Sequence, residues 1–347
     1  MRIGHMSTSG VPKLAIAFAC FLTLCSAAAF AAETSDSEFI LGTVCSVRLV
    51  DGGSRSILSA IFARLREIDA RMSANSKDSE VEAINRAAGM EAVKVSPDTF
   101  FVVSKALEYA RLSNGAFDPT IGPLVKLWGI GTESAHLPEP TEIAAALKLI
   151  DYRKVLMDPA ASTVKLATPK MRLDLGAIAK GYAADEVKRI LSERKVKAAV
   201  IDLGGNVYVF GKKKDGKPWK IGVQDPLSER GDYLGIVSGF EETVVTSGIY
   251  ERFFEHNGRR YHHILDVKTG YPVDNGLVST TIVASSSTDA DGLSTTLFAL
   301  GLSKGMILAK SQKNVEVIMV DSSMKVHLSS GAGALFTLTN KTYKLAE

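Results

Sequence analysis

The sequence is poor in cysteine. It has three, and two of them, Cys20 and Cys25, sit in an apolar leader, so a chain that loses the leader keeps Cys45 alone and forms no intramolecular disulfide. Stability must then come from a hydrophobic core, which a 347-residue chain can bury as one large domain or two smaller ones. Excess charge is also lacking. The formal charge is +3, and because the leader holds Arg2 and Lys13 and no acid, it falls to +1 without the leader. That near-balance gives no footprint for nucleic acid or an anionic membrane. Several signatures are missing as well: no GxGxxG follows a strand, GGNVYVFGKK has the wrong spacing for a Walker loop, and there is neither H-E-x-x-H nor G-x-S-x-G. No repeat, coiled coil or low-complexity linker appears, which favours one domain over 32–347.

The leader itself has a reading. Arg2 and Lys13 form a positive n-region, LAIAFACFLTLCSAAAFA is the apolar h-region, and Ala29-Phe30-Ala31 closes it with cleavage-type spacing. Residues 1–31 are therefore expected to be a signal peptide, with the mature chain exported to the periplasm. The alternatives are an uncleaved anchor or a lipidated Cys20 or Cys25, the only routes to membrane contact; Leu24 before Cys25 is bulkier than lipidation favours.

Along the rest, FILGTVCSVRLV alternates as one strand after a polar lead-in at 33–37. Ile57, Leu58, Ile61, Phe62, Leu65, Ile68 and Met72 mark one apolar helical face. Ser96-Pro97-Asp98 starts a helix that Gly115 ends, and Pro138 and Pro140 bound another near 143–150. The middle reads strand (VKLATPKMRLDLG), helix (AIAKGYAADEVKRILSERK), strand (AAVIDLGGNVYVFG), and a last helix runs from about Thr288 to an interruption at Gly301. Helices and strands without regular alternation predict an α+β fold.

Four segments carry candidate chemistry. In LDLGAIAKGYAAD, a strand ending at Asp174 and Leu175, a glycine turn and a helix from Ala177 or Ile178 would aim backbone N–H groups and Lys180 at a phosphate; a tight turn with a solvated lysine is the alternative. In SSSTDADGLSTTLFALG, Asp291, Ser294 and Thr295 share a helix face at i, i+3 and i+4, an all-oxygen set that suits magnesium rather than zinc, or else a capping-rich first turn. RRYHHILDVKTGYP offers His262 and His263 near neutral pKa as proton acceptors or structural histidines. GAFDPTIGPLVKLWGIG combines Phe117, Asp118, permissive glycines and Trp128, which could stack on a flat ring or pack within an Ω-loop.

Taken in order with FILGTVCSV, MSANSKDSEVEAIN, VIDLGGNVYVFG, VQDP and TSGIYERFF, these segments resemble the ApbE family, the FAD:protein FMN transferases, from about Leu41 to Gly301. The resemblance implies a single large α+β domain with an extended FAD cleft between its sub-structures. By motif position Leu41, Asn75, Ala116, Phe117, Asp118, Asp174, Lys180 and Leu265 would line the FAD site. Magnesium (Mg2+) would take the Ala177 carbonyl and the side chains of Asp291, Thr295 and Ser294. His263 would be catalytic, with Asp266 orienting the histidine or the metal. The implied reaction transfers FMN from FAD to a Thr or Ser hydroxyl of an acceptor flavoprotein of extracytoplasmic electron transfer and releases AMP. A magnesium-dependent FAD pyrophosphatase and a non-catalytic flavin carrier are the alternatives. Two positions depart from the family pattern: Val267 stands where proline is common, and Asn75 where some members carry an aromatic residue near the adenine. No copy of the acceptor motif occurs in the chain, which makes the acceptor another protein.

Overall fold

The computed structural model describes residues 33–346. The leader, with the expected cleavage point after Ala31 and the cysteines at 20 and 25, lies outside the described residues. The described residues belong to one compact unit.

The chain enters through a hairpin, β1 (Thr34–Ile40) and β2 (Thr43–Asp51). This corrects the single strand predicted across 39–50: Leu41 and Gly42 have φ of 56° and 68° and turn the chain, and the polar residues before them form β1. As the outermost strand of its sheet β1 needs only one paired edge and leaves Ser35, Asp36 and Ser37 exposed, a polar pattern that edge strands tolerate and that hides them from a search for apolar alternation. Holding Leu41 in the left-handed region costs about 1 kcal/mol or more, a strain typical of functional turns.

Helix α1 (Arg55–Met72) is capped by Ser54 and buries Leu58, Ile61, Phe62, Leu65, Ile68 and Met72, as their spacing predicts. It is followed by α2 (Glu80–Arg86), β3 (Val93–Lys94) and α3 (Pro97–Leu112), whose cap is Ser96. Next come α4 (Gly122–Trp128), α5 (Pro140–Leu147), β4 (Val155–Asp158) and β5 (Thr163–Leu166), with β3, β5 and β4 forming a small sheet. Helix α6 (Ala179–Glu193) leads to β6 (Ala198–Leu203), β7 (Asn206–Gly211), β8 (Trp219–Gln224), β9 (Tyr233–Gly239) and β10 (Thr243–Gly248). A second hairpin, β11 (Phe253–His256) and β12 (Arg259–His262), precedes β13 (Leu277–Ala284) and the long α7 (Ser287–Ser311). The chain closes with β14 (Val315–Asp321), β15 (Lys325–Leu328), α8 (Ala332–Leu335), β16 (Phe336–Leu338) and β17 (Lys344–Leu345).

Nine strands form the main sheet in the order β1-β2-β6-β7-β10-β13-β14-β15-β17, antiparallel except for the last pair. One face packs against α1, α3, α6 and α7, the other against the small β16-β9-β8 sheet. Alternate residues of one strand therefore enter different cores, Ile282 the helical one and Val283 the sheet one, and every residue of β13 is buried. The architecture is the expected α+β. Cys45 lies in the helical core, and burial pushes its thiol up to about 11, which makes it an inert core residue.

Helix α7 is long and apolar enough to pass for a membrane span by composition, with hydropathy 1.3. It is instead packed against β10 and β13 and breaks at Gly301 (φ 76°, ψ 173°), where an interruption is predicted.

Of the two roles open to Trp128, the structure takes the packing one. It is fully buried in a third cluster with Leu124, Ile143, Tyr261 and Leu265, its Nε1–H donates to the Gly270 carbonyl at 2.8 Å, and Tyr261 and Tyr271 rings pack 5.6 and 5.8 Å from it. A ring so enclosed cannot stack on a flavin; it joins α4 to the Lys-Thr-Gly turn. Trp128→Ala is expected to destabilise the protein by about 3–5 kcal/mol, read as a lowered denaturant midpoint.

Candidate active site

The phosphate and metal candidates meet where α6 starts against the first turns of α7. The strand expected to end at Asp174 ends at Leu166, in β5, and between it and α6 only an isolated bridge pairs Arg172 with Ile121. Asn85 of α2 brackets Leu173 instead, its Oδ1 accepting the Leu173 N–H at 2.6 Å and its Nδ2 donating to the Leu173 carbonyl at 3.2 Å. The Asp174 N–H donates to the Pro119 carbonyl at 2.8 Å, and the Asp174 carboxylate accepts the Gly176 N–H at 2.8 Å, so this backbone is held from the side rather than by a ladder.

The helix starts at Ala179, after Ile178, and its first amides are largely committed. Ile178 and Ala179 donate to the Leu175 carbonyl, and the Gly181 N–H donates to Asp291 Oδ2 at 2.8 Å. The predicted cradle of free N–H groups is thus reduced, and the main positive group offered to a phosphate is Lys180. Its ammonium donates to the Gly176 carbonyl at 3.1 Å and stands 3.8 Å from Asp291 Oδ1.

Asp291 is buried at 4 % exposure. One of its oxygens serves the Gly181 amide, and the other faces only the more distant ammonium. A third hydroxyl, Ser247 of β10, contacts both of its helix neighbours: Ser294 Oγ at 2.8 Å and Thr295 Oγ1 at 3.1 Å. Ser294 also donates to the Asp291 carbonyl at 2.9 Å and is fully buried, while Thr295 is half-buried. Ala177, half-buried, lies just before α6.

Among the described residues no group of three or more His, Cys, Asp or Glu is placed to hold a metal. The donors here are one carboxylate, hydroxyls and a carbonyl. Such a set fits magnesium, a hard ion that commonly takes one or two carboxylates and completes its shell with water and substrate phosphate oxygens.

The two helices meet closely because Gly181 has no side chain. A Cβ there would lie 2.3 Å from the Ser287 carbonyl oxygen and 2.7 Å from Asp291 Cβ. Asp185, one turn on, caps α7 by accepting the N–H groups of Ser287 at 2.9 Å and Thr288 at 2.8 Å. Gly181→Ala is expected to force α6 and α7 apart, costing about 1–3 kcal/mol and weakening FAD binding, measured by thermal unfolding and flavin fluorescence titration.

The adjacent histidines have separate fates. His262 is buried with both ring nitrogens engaged, Nε2 with the Val273 carbonyl at 3.0 Å and Nδ1 accepting the Ile264 N–H at 3.3 Å; it is structural. His263 touches the Arg252 carbonyl through both its backbone N–H, at 3.0 Å, and Nδ1, at 3.3 Å. A carbonyl only accepts, so Nδ1 carries the proton and Nε2 is left with a free lone pair. Desolvation, helped by the charges of Arg252 and Lys180, lowers the imidazolium pKa to about 3. The orienting group is thus a main-chain carbonyl. Asp266, the expected one, instead spends a carboxylate oxygen on the Lys268 N–H at 2.8 Å and shapes its own turn.

The ApbE family profile matches residues 41–319. The chain belongs to the ApbE family. It is 36% identical over 329 residues to the FAD:protein FMN transferase of Treponema pallidum, covering 90% of this chain and 91% of that one. Among solved structures it is similar to the ApbE protein of Thermotoga maritima, with a TM-score of 0.81, 33% identity and coverage of 88% of this chain and 99% of that one. It is likewise similar to the flavin transferase ApbE from Vibrio cholerae, with a TM-score of 0.79, 29% identity and coverage of 88% and 99%.

The positions expected to line FAD in this ApbE chain fall on distinct supports. Leu41 lies in the strained hairpin turn, next to Gly42, whose carbonyl accepts from the Arg252 guanidinium at 2.9 Å; Arg252 therefore ties this turn to His263. Ala116 is half-buried in the loop after α3, and Phe117 packs into the helical core 6.2 Å from the Tyr109 ring. Both Asp118 oxygens serve the backbone: Oδ1 accepts the Thr120 N–H at 2.8 Å and Oδ2 the Tyr152 N–H at 3.0 Å. Burial raises the Asp118 carboxyl while these hydrogen bonds oppose the rise. Leu265 is buried beside Trp128, and Asn75 is exposed in the loop after α1. Lys180 and Asp291 lie together with Thr295 one helical turn on, and His263 feels the Lys180 charge; Ser247, Arg252, Asn85 and Asp185 hold these elements in place without being singled out by sequence. Each had one available signal, its place in a quoted segment: Ser247 and Arg252 in TSGIYERFF, Asn85 at the end of MSANSKDSEVEAIN and Asp185 at the end of LDLGAIAKGYAAD.

Proposed function

We propose that this chain is an exported transferase that moves FMN from FAD to a Thr or Ser hydroxyl of an acceptor flavoprotein in the periplasm, releasing AMP. The observation that carries the reading is the meeting of Lys180, Asp291 and Thr295 at the α6–α7 junction within electrostatic reach of an imidazole whose Nε2 is free. Export rests on the apolar leader and its Ala-Phe-Ala end.

Lys180 would bind the pyrophosphate and hold its position against α6. A magnesium ion on the Ala177 carbonyl, Asp291 and Thr295 would neutralise pyrophosphate charge and favour departure of AMP. His263 Nε2 would take the proton of the acceptor hydroxyl. The hydroxyl oxygen then bonds to the FMN-side phosphorus, the bond from that phosphorus to the bridging oxygen breaks, and AMP leaves with that oxygen. The Arg252 carbonyl would hold the neutral imidazole in the tautomer that leaves Nε2 unprotonated before the transfer.

The test mixes the protein with FAD, magnesium and an acceptor domain carrying the family's target motif, and reads covalent flavin by mass spectrometry. FMN on the acceptor with stoichiometric AMP is expected. AMP without labelled acceptor would instead show a pyrophosphatase, and bound FAD with no AMP a carrier.

A further inference from the structure

VQDP and the middle of TSGIYERFF supply no candidate phosphate or metal ligand, yet both line one cavity of about 200 Å³. Ligand pockets for whole small molecules run to about 300–1,000 Å³, so this one suits a side chain rather than a dinucleotide.

Its outer wall is a built loop. Buried Asp225 accepts the Leu227 N–H at 2.9 Å, the Asn340 side-chain amide at 3.0 Å and the Tyr343 hydroxyl. Gln224 spans the loop, donating to the Glu229 carbonyl at 2.9 Å and accepting the Gly231 N–H at 3.0 Å. The loop so braced presents Leu227, 53% exposed, and the exposed Arg230. Opposite stand Phe253 and Arg260, whose guanidinium lies 4.0 Å from the Phe253 ring centre.

The lining also includes Tyr250, whose buried hydroxyl has no hydrogen-bond partner among the described residues. Burial raises this phenol, so it stays a donor. An unpaired buried donor costs about 1–3 kcal/mol, which a ligand acceptor would recover. Among the charged residues that line the cavity, Arg230 and Arg260 outnumber Glu251; Arg260 also pairs with Glu255 at 3.5 Å, which leaves Arg230 the less neutralised of the two cations. Glu251 connects the cavity to the active site: it lines the cavity and interacts electrostatically with Lys180 and Arg252.

We propose that this cavity is the acceptor-docking site, taking an acidic side chain of the acceptor protein between Arg230, Arg260 and the Tyr250 hydroxyl and so delivering the neighbouring Ser or Thr to His263. The proposal rests on the transferase reading. It places acceptor selection on the loop–hairpin side and FAD binding on the α6–α7 side.

The experiment measures binding of a fluorescein-labelled acceptor domain to the FAD- and magnesium-loaded full chain by anisotropy, together with FMN transfer. Arg230→Glu and Arg260→Glu are each expected to weaken acceptor binding about ten-fold or more and to raise the acceptor KM in parallel. Tyr250→Phe weakens it less, and the Kd for FAD is unchanged in all three. Replacing the acceptor's carboxylate by lysine should weaken binding to the parent protein and restore it to Arg230→Glu, which separates lost recognition from lost folding. Unchanged acceptor affinity in the charge-reversed variants, or an equal loss of FAD affinity, overturns the proposal. Acceptor binding that depends on these arginines without any FMN transfer overturns the transferase reading and leaves the docking site standing.

Discussion

Asp291→Asn is expected to lower FMN transfer at saturating FAD by roughly three orders of magnitude while leaving the fold nearly intact. The asparagine carbonyl oxygen can still accept the Gly181 N–H that Asp291 Oδ2 accepts at 2.8 Å, so the α6–α7 contact keeps its hydrogen bond. What disappears is the negative charge, in a site whose other expected donors are neutral oxygens. The measurement is AMP release and acceptor labelling across a magnesium titration, with the thermal midpoint recorded alongside. Full activity in the variant would sink the metal assignment, and a collapsed midpoint would show that the charge is needed for folding. The neighbouring hydroxyls should divide in the same assay. Ser294 is fully buried and already donates to the Asp291 carbonyl, whereas Thr295 is half-buried. Thr295→Ala is therefore expected to shift the magnesium requirement more than Ser294→Ala.

The contrast between these two hydroxyls shows what local spacing reveals and what it hides. Positions 291, 294 and 295 lie on one helical face in any α-helix, so their proximity is legible from the sequence; that Ser247 of β10 meets the Ser294 and Thr295 hydroxyls is a contact from another element. The same division runs through the fold. The apolar face of α1 and the break at Gly301 depend on residues within a few turns and appear as predicted. Asp185 reaching Ser287 and Thr288, and Asn85 bracketing Leu173, are pairings between segments about a hundred residues apart that no local period announces. Trp128 has the composition of a stacking residue, but the aromatic shell that encloses it comes from the β11–β12 hairpin and the turn at 270, so its burial is a tertiary fact. Polar β1 is illegible for a related reason: it pairs along one edge, with no apolar alternation to mark it.

His263→Ala is expected to reduce transfer to the acceptor by about 10²–10⁴-fold with little change in FAD affinity, because in the proposed reaction the imidazole would act on the hydroxyl and Lys180 would hold the phosphate. The pH dependence discriminates this role from a structural one. In the free protein desolvation and the nearby Arg252 and Lys180 charges hold the imidazolium pKa at about 3, so Nε2 is already unprotonated at pH 5 and kcat/KM should show no acid limb from this group between pH 5 and 8. Binding an anionic pyrophosphate beside Lys180 offsets the positive charges and raises the pKa, so any inflection in kcat lies above about 3 and belongs to the complex. The stability consequence has the same sign: an unfolded histidine takes up a proton near its ordinary 6.5, so this site loses stability as pH falls below that value toward 3. His263→Gln removes that proton uptake and should lose less stability than the parent between pH 6.5 and 4, even as transfer fails. A variant equally sensitive to acid, or one that keeps transferring FMN at the parent rate, would remove His263 from the proton-accepting role and shift attention to the Glu251 carboxylate, which interacts with both Lys180 and Arg252.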